Sequence, residues 1–314
     1  MHEFITTQKL NHLIDPVLHI WQWQIPVYLF IGGLTAGLMI LGAVSVLRDK
    51  ARPTAPQKLL LFILPILAVG MFTLFLDLEH KVNVWRFYTT FRVTSPMSWG
   101  SWILLCVVPV SLLLLLGTMA ENWPELQTWV EKRRRFDALV QFARQRLKPI
   151  AGVTLVLGFA LGIYTGILLS AYGARPFWNT SVLGLLFLVS GLSSAAALVQ
   201  WASKSEAEAH FYTLLDVGLI AGELLLIGLM LIGMVSGPAR QQSAATLVLG
   251  GPLTVFFWVF VVMLGLLLPV LLEIFHLKGR PLPRFLAPAL VLAGGLIFRF
   301  FIVEAGQITT WISY

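Results

Sequence analysis

At 314 residues the chain is long enough for two soluble domains, but only 12% of it is charged and 58% is hydrophobic, against about 25% charged in a soluble domain. Too little polar surface remains to dissolve such a chain in water, so the composition excludes a soluble enzyme and describes an integral membrane protein. A single cysteine, Cys106, excludes an intrachain disulfide and a thiolate set for an iron–sulfur cluster or structural zinc, and a formal charge of +7 fits orienting basic loops without invoking nucleic acid.

The first 25 residues carry no basic start, short apolar stretch and small-residue cleavage site in series, so no signal peptide is expected. A bilayer core of about 30 Å takes roughly 20 apolar residues per helix. Eight runs qualify: 26–47, 58–76, 99–119, 149–171, 181–202, 213–236, 251–273 and 285–303. A partly re-entrant second run would leave seven. Pro26, Pro149 and Pro252 stand at or near first turns, where a missing N–H costs nothing. Pro65, Pro109 and Pro269 fall inside runs and predict kinks. The expected fold is all-α and membrane-integral. It has an interfacial segment over 1–25 and eight transmembrane helices in two four-helix bundles, 26–171 and 172–314.

Basic residues set the orientation. The loops after the odd-numbered runs hold fifteen Lys or Arg, and the opposite side holds six: Lys9, Lys81, Arg86, Arg92, Arg175 and Arg240. Both termini are therefore expected outside, on the periplasmic face of a bacterial inner membrane. The basic third loop, Glu131–Lys148 with Lys132–Arg135, then faces the cytoplasm, as a charged helix on anionic lipid or as a partner site. A faint internal echo aligns Phe30–Leu38 with Leu188–Ala196. It fits two bundles in parallel relation, with Gly32, Ala36, Ser190 and Ser194 allowing close helix approach.

The richest polar stretch joins the second and third runs. Asp77 and His80 emerge at the outer boundary, followed by Trp85, Phe87, Tyr88, Phe91, Trp99 and Trp102. One reading is an aromatic belt. The other is a quinone site, where flat side chains stack on the head-group, donors meet its carbonyls, and an acid/base pair handles two protons. Trp21–Tyr28 lies on the same side and could form another wall.

A charge at mid-bilayer costs at least about 2.5–3.5 kcal/mol, so each one needs a reason. Tyr212, Asp216 and Glu223 share one face of the sixth helix, in a file from the inner surface to the membrane centre. Either they form a proton half-channel with Glu223 as the deep carrier, or Glu223 is a buried neutral acid bonded to another helix. Glu273 and His276, near the inner end of the seventh helix, read as interfacial. The last helix carries Arg299, whose counter-charge is Glu223 or Glu304, in a proton path or a static pair. All six histidines lie outside the runs or at their ends, so no b-type haem is expected. Phosphate-loop, dinucleotide and metal-protease motifs are absent from the sequence.

Several segments together resemble the NrfD family, the membrane subunits of polysulfide-reductase-type complexes. They are Trp23–Gly33 with Gly37, Asp77–His80 with Trp85–Phe87, Ser95–Ser101, Gly162–Gly166, Arg175–Asn179, and Arg299 followed by Glu304–Gln307. The resemblance implies a haem-free subunit without an iron–sulfur cluster of its own that exchanges electrons with a bound quinone or menaquinone. The implied partners are a four-cluster ferredoxin-like iron–sulfur subunit outside the membrane and, beyond it, a molybdopterin oxidoreductase or multihaem cytochrome. Carried onto matching positions, the quinone pocket would involve Tyr28, Gln24, Asp77, His80 and Tyr164, and the reading of the residues adds Trp85 to shape its wall. On the reading of the residues themselves, apart from the resemblance, Arg86, Phe91 and Arg92 would face the partner, and Tyr212, Asp216, Glu223, Arg299 and Glu304 would serve proton transfer. Two rival readings stay open, a secondary transporter with a mid-membrane solute site and a purely structural anchor.

Overall fold

The computed structural model describes residues 21–48, 54–131, 134–280 and 283–309. Most of the expected interfacial segment, with Lys9, and the loop positions Lys132 and Arg133 lie outside the described residues. All regular elements among the described residues are helical. In chain order they are α1 (Gln24–Arg48), α2 (Ala55–Asp77), a 3-10 turn (Lys81–Asn83), α3 (Arg86–Thr89) and α4 (Pro96–Asn122). Next come α5 (Pro124–Glu131), α6 (Arg134–Gln145), α7 (Leu147–Ser170), α8 (Leu183–Ala202), α9 (Glu206–Val235) and α10 (Ala239–Thr246). A π-helix (Phe256–Leu267) runs into α11 (Leu268–Leu277), and α12 (Leu286–Ile308) ends the series. Among the described residues, eight stretches are long and apolar enough to cross a membrane: α1, α2, α4, α7, α8, α9, the π-helix with α11, and α12. The chain is a multi-pass integral membrane protein.

Proline opens two of these helices, Pro56 in the first turn of α2 and Pro96 in that of α4. The start of α2 is held across the fold. The Ala55 N–H donates to Glu208 Oε1 on α9 at 2.9 Å, satisfying one of the donors a helix start leaves free. Helix α9 begins at Glu206, seven residues before its apolar run, and α12 continues to Ile308. Hydropathy marks where the lipid ends, whereas helical hydrogen bonding continues into the headgroup layer. The basic loop between α4 and α7 folds as α5 and α6, and α6 packs its buried Val140 and Ala143 toward α4 and α7.

Helices α1 and α8 are the most buried spans. They meet at glycine. A Cβ on Gly191 would come within 2.5 Å of the Gly33 carbonyl oxygen, and one on Gly37 within 2.5 Å of the Gly191 oxygen. The close approach expected from the echoing segments therefore exists, but one position further along than Gly32, Ala36, Ser190 and Ser194. Gly32 and Ala36 face Thr165 and Gly158 of α7, while Ser190 and Ser194 face Arg299 and Gly295 of α12. Buried apolar side chains gather in two clusters. One is drawn mainly from α1, α2, α4 and α7, the other from α8 onward with the start of α1.

The seventh span departs most from expectation. The irregularity foreseen at Pro269 is a change of winding, from π-helix up to Leu267 to α-helix from Leu268. Gly265 lies so close to Gly294 that a Cβ on Gly294 would sit 2.5 Å from the Gly265 Cα. Glu273 is not interfacial. It is completely buried, because α11 packs against both α9 and α12.

Candidate functional site

At the end of the molecule where α1 starts, five elements enclose a cavity of about 140 Å³. This is the scale of a single ring, since an apolar cavity of about 150 Å³ admits benzene. Its walls are apolar, with Ile25, Leu29, Met71, Leu74, Phe87 and Leu104 among them. Besides Ser101, which donates to the Met97 carbonyl at 3.1 Å, four polar side chains from four segments come into it: Tyr28 of α1, Asp77 at the end of α2, Tyr88 of α3 and Tyr164 of α7. None of the four makes a hydrogen bond with another described side chain or backbone group. The hydroxyls of Tyr28, Tyr88 and Tyr164 lie close enough to act on one another electrostatically, Tyr28 with Tyr88 and Tyr164 with Tyr28. A phenol can donate or accept, and a carboxylate accepts. Burial pushes the Tyr88 phenol above its ordinary pKa, which keeps it a proton donor.

Two local devices shape this cavity. Gly100, in the first turns of α4, stands where a Cβ would overlap the ring and hydroxyl of Tyr164, so only glycine lets that phenol reach the cavity. The second device is an aromatic plug. Trp178 is fully buried, its Nε1 donates to the Ile302 carbonyl at 2.7 Å, and its indole fills the space left by Gly306. Trp21 stacks on Trp178 with centroids 5.1 Å apart and meets Tyr172 edge-on at 5.4 Å. Gln307 clamps the Trp21 backbone on both sides, accepting from its N–H at 3.0 Å and donating to its carbonyl at 2.9 Å. Arg175 donates to the Gln307 and Thr309 carbonyls at 3.0 and 2.8 Å. Trp21, thus fixed, is itself a wall of the cavity.

The remaining residues expected at this site lie elsewhere. His80 lines a wider hollow of about 460 Å³ with Glu79, Arg86 and Arg92, which adjoins the cavity across Leu78, Phe87 and Met97. Trp85 and Phe91 are exposed, with Phe91 edge-on to Trp102 at 5.4 Å. Gln24 stands one turn before Tyr28, outside the cavity lining, with its Oε1 buried and without a partner.

The second half carries two buried polar clusters on α8 and α9. In one, Arg299 is 1% exposed; its Nη1 donates to Ser190 Oγ at 3.2 Å and its Nη2 to the Phe187 carbonyl at 3.1 Å. The guanidinium also lies 4.0 Å from the Phe187 ring centroid. Glu223 faces Arg299 with opposite charge, and the Ser190 hydroxyl that accepts from Arg299 stands beside it. Of the two counter-charges weighed from sequence, Glu223 is the partner. Glu304 is exposed, in a hollow with Trp23, Pro26 and Phe300. In the other cluster Ser193 donates to Asp216 Oδ1 at 2.6 Å, with Glu273 alongside. Tyr212 is buried one turn before Asp216, edge-on to Phe211 at 5.1 Å.

A family model described as polysulphide reductase, NrfD, matches residues 11–311. The chain belongs to the NrfD family. Among curated relatives it is 31% identical over 305 residues to protein NrfD of Escherichia coli, covering 92% of this chain and 96% of that protein. It is 32% identical over 309 residues to one of the polysulfide reductase chains of Wolinella succinogenes, covering 92% and 94%. A selenate reductase subunit of Mesobacillus selenatarsenatis is 25% identical over 313 residues, covering 90% of this chain and 73% of that one.

The NrfD-type segments recognised in the sequence converge in space. Tyr28, Asp77, Gly100 and Tyr164, each from a different segment, line one cavity. Arg175–Asn179 and Gly306–Gln307 build the plug behind it. Tyr88 and Gly100 are lining residues that sequence reasoning left out of the site. Both stand inside or beside motifs already singled out, and a glycine four residues after a helix-opening proline was the available signal.

Proposed function

We propose that the chain is the haem-free membrane anchor and quinone- or quinol-reactive subunit of a respiratory oxidoreductase in a bacterial inner membrane. Two of its relatives are named as components of a polysulfide reductase and of a selenate reductase, and such a component works beside others. The observation that carries the reading is the ring-sized cavity with Tyr28, Tyr88, Tyr164 and Asp77 at its surface and no internal partner for any of them. Membrane lipid surrounds the spans, and nucleic acid has no part. A quinone or menaquinone would supply two-electron, two-proton chemistry. This chain's residues would hold its ring between Trp21 and Phe87, donate to its carbonyls from the tyrosines, and exchange protons through Asp77.

By the loop charges, this end and both termini would face the periplasm, and the echo of Phe30–Leu38 in Leu188–Ala196 favours two four-helix bundles. A four-cluster iron–sulfur subunit, itself joined to a molybdopterin oxidoreductase or multihaem cytochrome, would then dock over Arg86, Phe91 and Arg92. His80, in the hollow beside the cavity, would pass protons between Asp77 and solvent. Tyr212, Asp216, Glu223 and Arg299 would carry protons from the other face, with exposed Glu304 at the far end of the same helix as Arg299.

The buried carboxyls of the second half are what a transporter would also need. Co-purifying clusters with bound quinone oppose that reading, and clusters without quinone leave a structural anchor. The direct test is quinone turnover by the assembled complex carrying Tyr164→Phe or Asp77→Asn. Loss of turnover with normal assembly is expected, and wild-type turnover in both would overturn the site.

A further inference from the structure

Asp216 on α9 and Glu273 on α11 are each 0% exposed, yet among the described residues neither is matched by a cation. Ser193 satisfies one Asp216 oxygen at 2.6 Å. Asp216 Oδ2 and both oxygens of Glu273 meet no N–H or hydroxyl donor among the described residues. The two carboxyl groups are instead within hydrogen-bonding reach of each other. Carboxylates have no donor, so such a bond exists only when a proton is shared between them. Burying two carboxyl groups away from any cation costs free energy that an apolar pair would not, so the pair calls for a role beyond packing.

The surroundings give the pair an entrance and an exit. Beyond Glu273, at the end opposite the quinone cavity, lies a hollow of about 280 Å³ lined by Gln200, His210, Leu272 and His276, with room for several waters. Leu272 and His276 flank Glu273 on the same helix, and His210 precedes Asp216 on α9. On the other side Ser193 and Ser190, one turn apart on α8, lead to Glu223 and Arg299. Arg299 Nη2 lies 3.5 Å from where a Cβ of Gly33 would be, and Gly33 follows Tyr28 by five residues, ~7.5 Å of helix. The polar file thus ends behind the wall of the cavity.

We propose that Asp216 and Glu273 form a proton-sharing carboxyl pair that loads protons from the hollow at the opposite face and releases them through Ser193 and Ser190 toward Glu223. A proton arriving from water on one carboxyl is matched by departure of the shared proton from the other; the pair returns to one shared proton and no electron moves. The destination, though not the pair itself, rests on the quinone reading. The charged and titratable groups around the pair are Glu223, Tyr212 and His210 on α9, His276 on α11 and Arg299 on α12.

The test is infrared difference spectroscopy of the purified complex on exchange into heavy water. A deuterium-sensitive carboxylic-acid carbonyl band is expected in the wild type, lost in Glu273→Gln and Asp216→Asn, and shifted in Ser193→Ala, which leaves both carboxyls in place. In liposomes, Glu273→Gln should lose proton uptake from the hollow's side while still binding quinone. A wild type without the band, a band indifferent to all three variants, or wild-type proton uptake by Glu273→Gln overturns the proposal. If no variant or wild type turns over quinone, the quinone reading fails and the band alone decides the pair.

Discussion

Replacing Arg299 by methionine removes a buried cation while keeping a side chain of similar length. The loss has three parts in the structure: the hydrogen bonds to Ser190 Oγ and the Phe187 carbonyl, the contact over the Phe187 ring, and the charge facing Glu223. Breaking a buried pair from one side costs about 3–5 kcal/mol, mostly because the other charge is left uncompensated. Glu223→Gln alone leaves the guanidinium stranded and should cost a similar amount. The double variant removes both charges, so it should recover about 2–3 kcal/mol relative to the sum of the singles, the upper part of the range for neighbours. Denaturant titration of the four purified proteins in lipid measures this coupling. Glu304→Gln paired with Arg299→Met serves as control and should be additive. Additivity within about 0.5 kcal/mol for the Glu223 cycle would refute the buried pair.

Gly100→Ala should force the Tyr164 ring from its place, an overpacking cost of about 1–3 kcal/mol, read as weaker quinone binding by fluorescence quenching titration together with a lower Tm. Unchanged affinity would place the ring elsewhere. Trp178→Phe deletes the donor to the Ile302 carbonyl and should destabilise by about 1–3 kcal/mol, with faster proteolysis near Trp21 as the visible consequence. Burial raises the pKa of both Tyr88 and Tyr172 above the ordinary 10.0. The folded state therefore favours the neutral phenols; their contribution is complete below that value and is lost as pH rises through the raised pKa. Tyr88→Phe with Tyr172→Phe should flatten this alkaline loss, measured as Tm against pH.

The spans were legible because a continuous apolar run has few alternatives in a long chain, and the family motifs named Tyr28, Asp77 and Tyr164, which do share a cavity. Facing was harder to read. In a helix that is apolar all round, periodicity does not distinguish the lipid side from the protein side, so the small-residue contact between α1 and α8 falls one residue from the expected positions. Glu273 misleads for the same reason, since its place near a run's end suggests the interface while two packed helices bury it. Contacts between distant segments, such as Glu208 capping α2 or Gln307 clamping Trp21, leave no local pattern at all.

Photoaffinity labelling of the native complex with an azido-quinone, followed by peptide mapping, tests the central claim most directly. The account predicts label on the peptides carrying Trp21–Leu29, Asp77–Tyr88, Met97–Leu104 and Tyr164–Leu169, competed away by unmodified quinone. Competable label confined to other spans, or no competable label in a complex that turns over quinone, would contradict it.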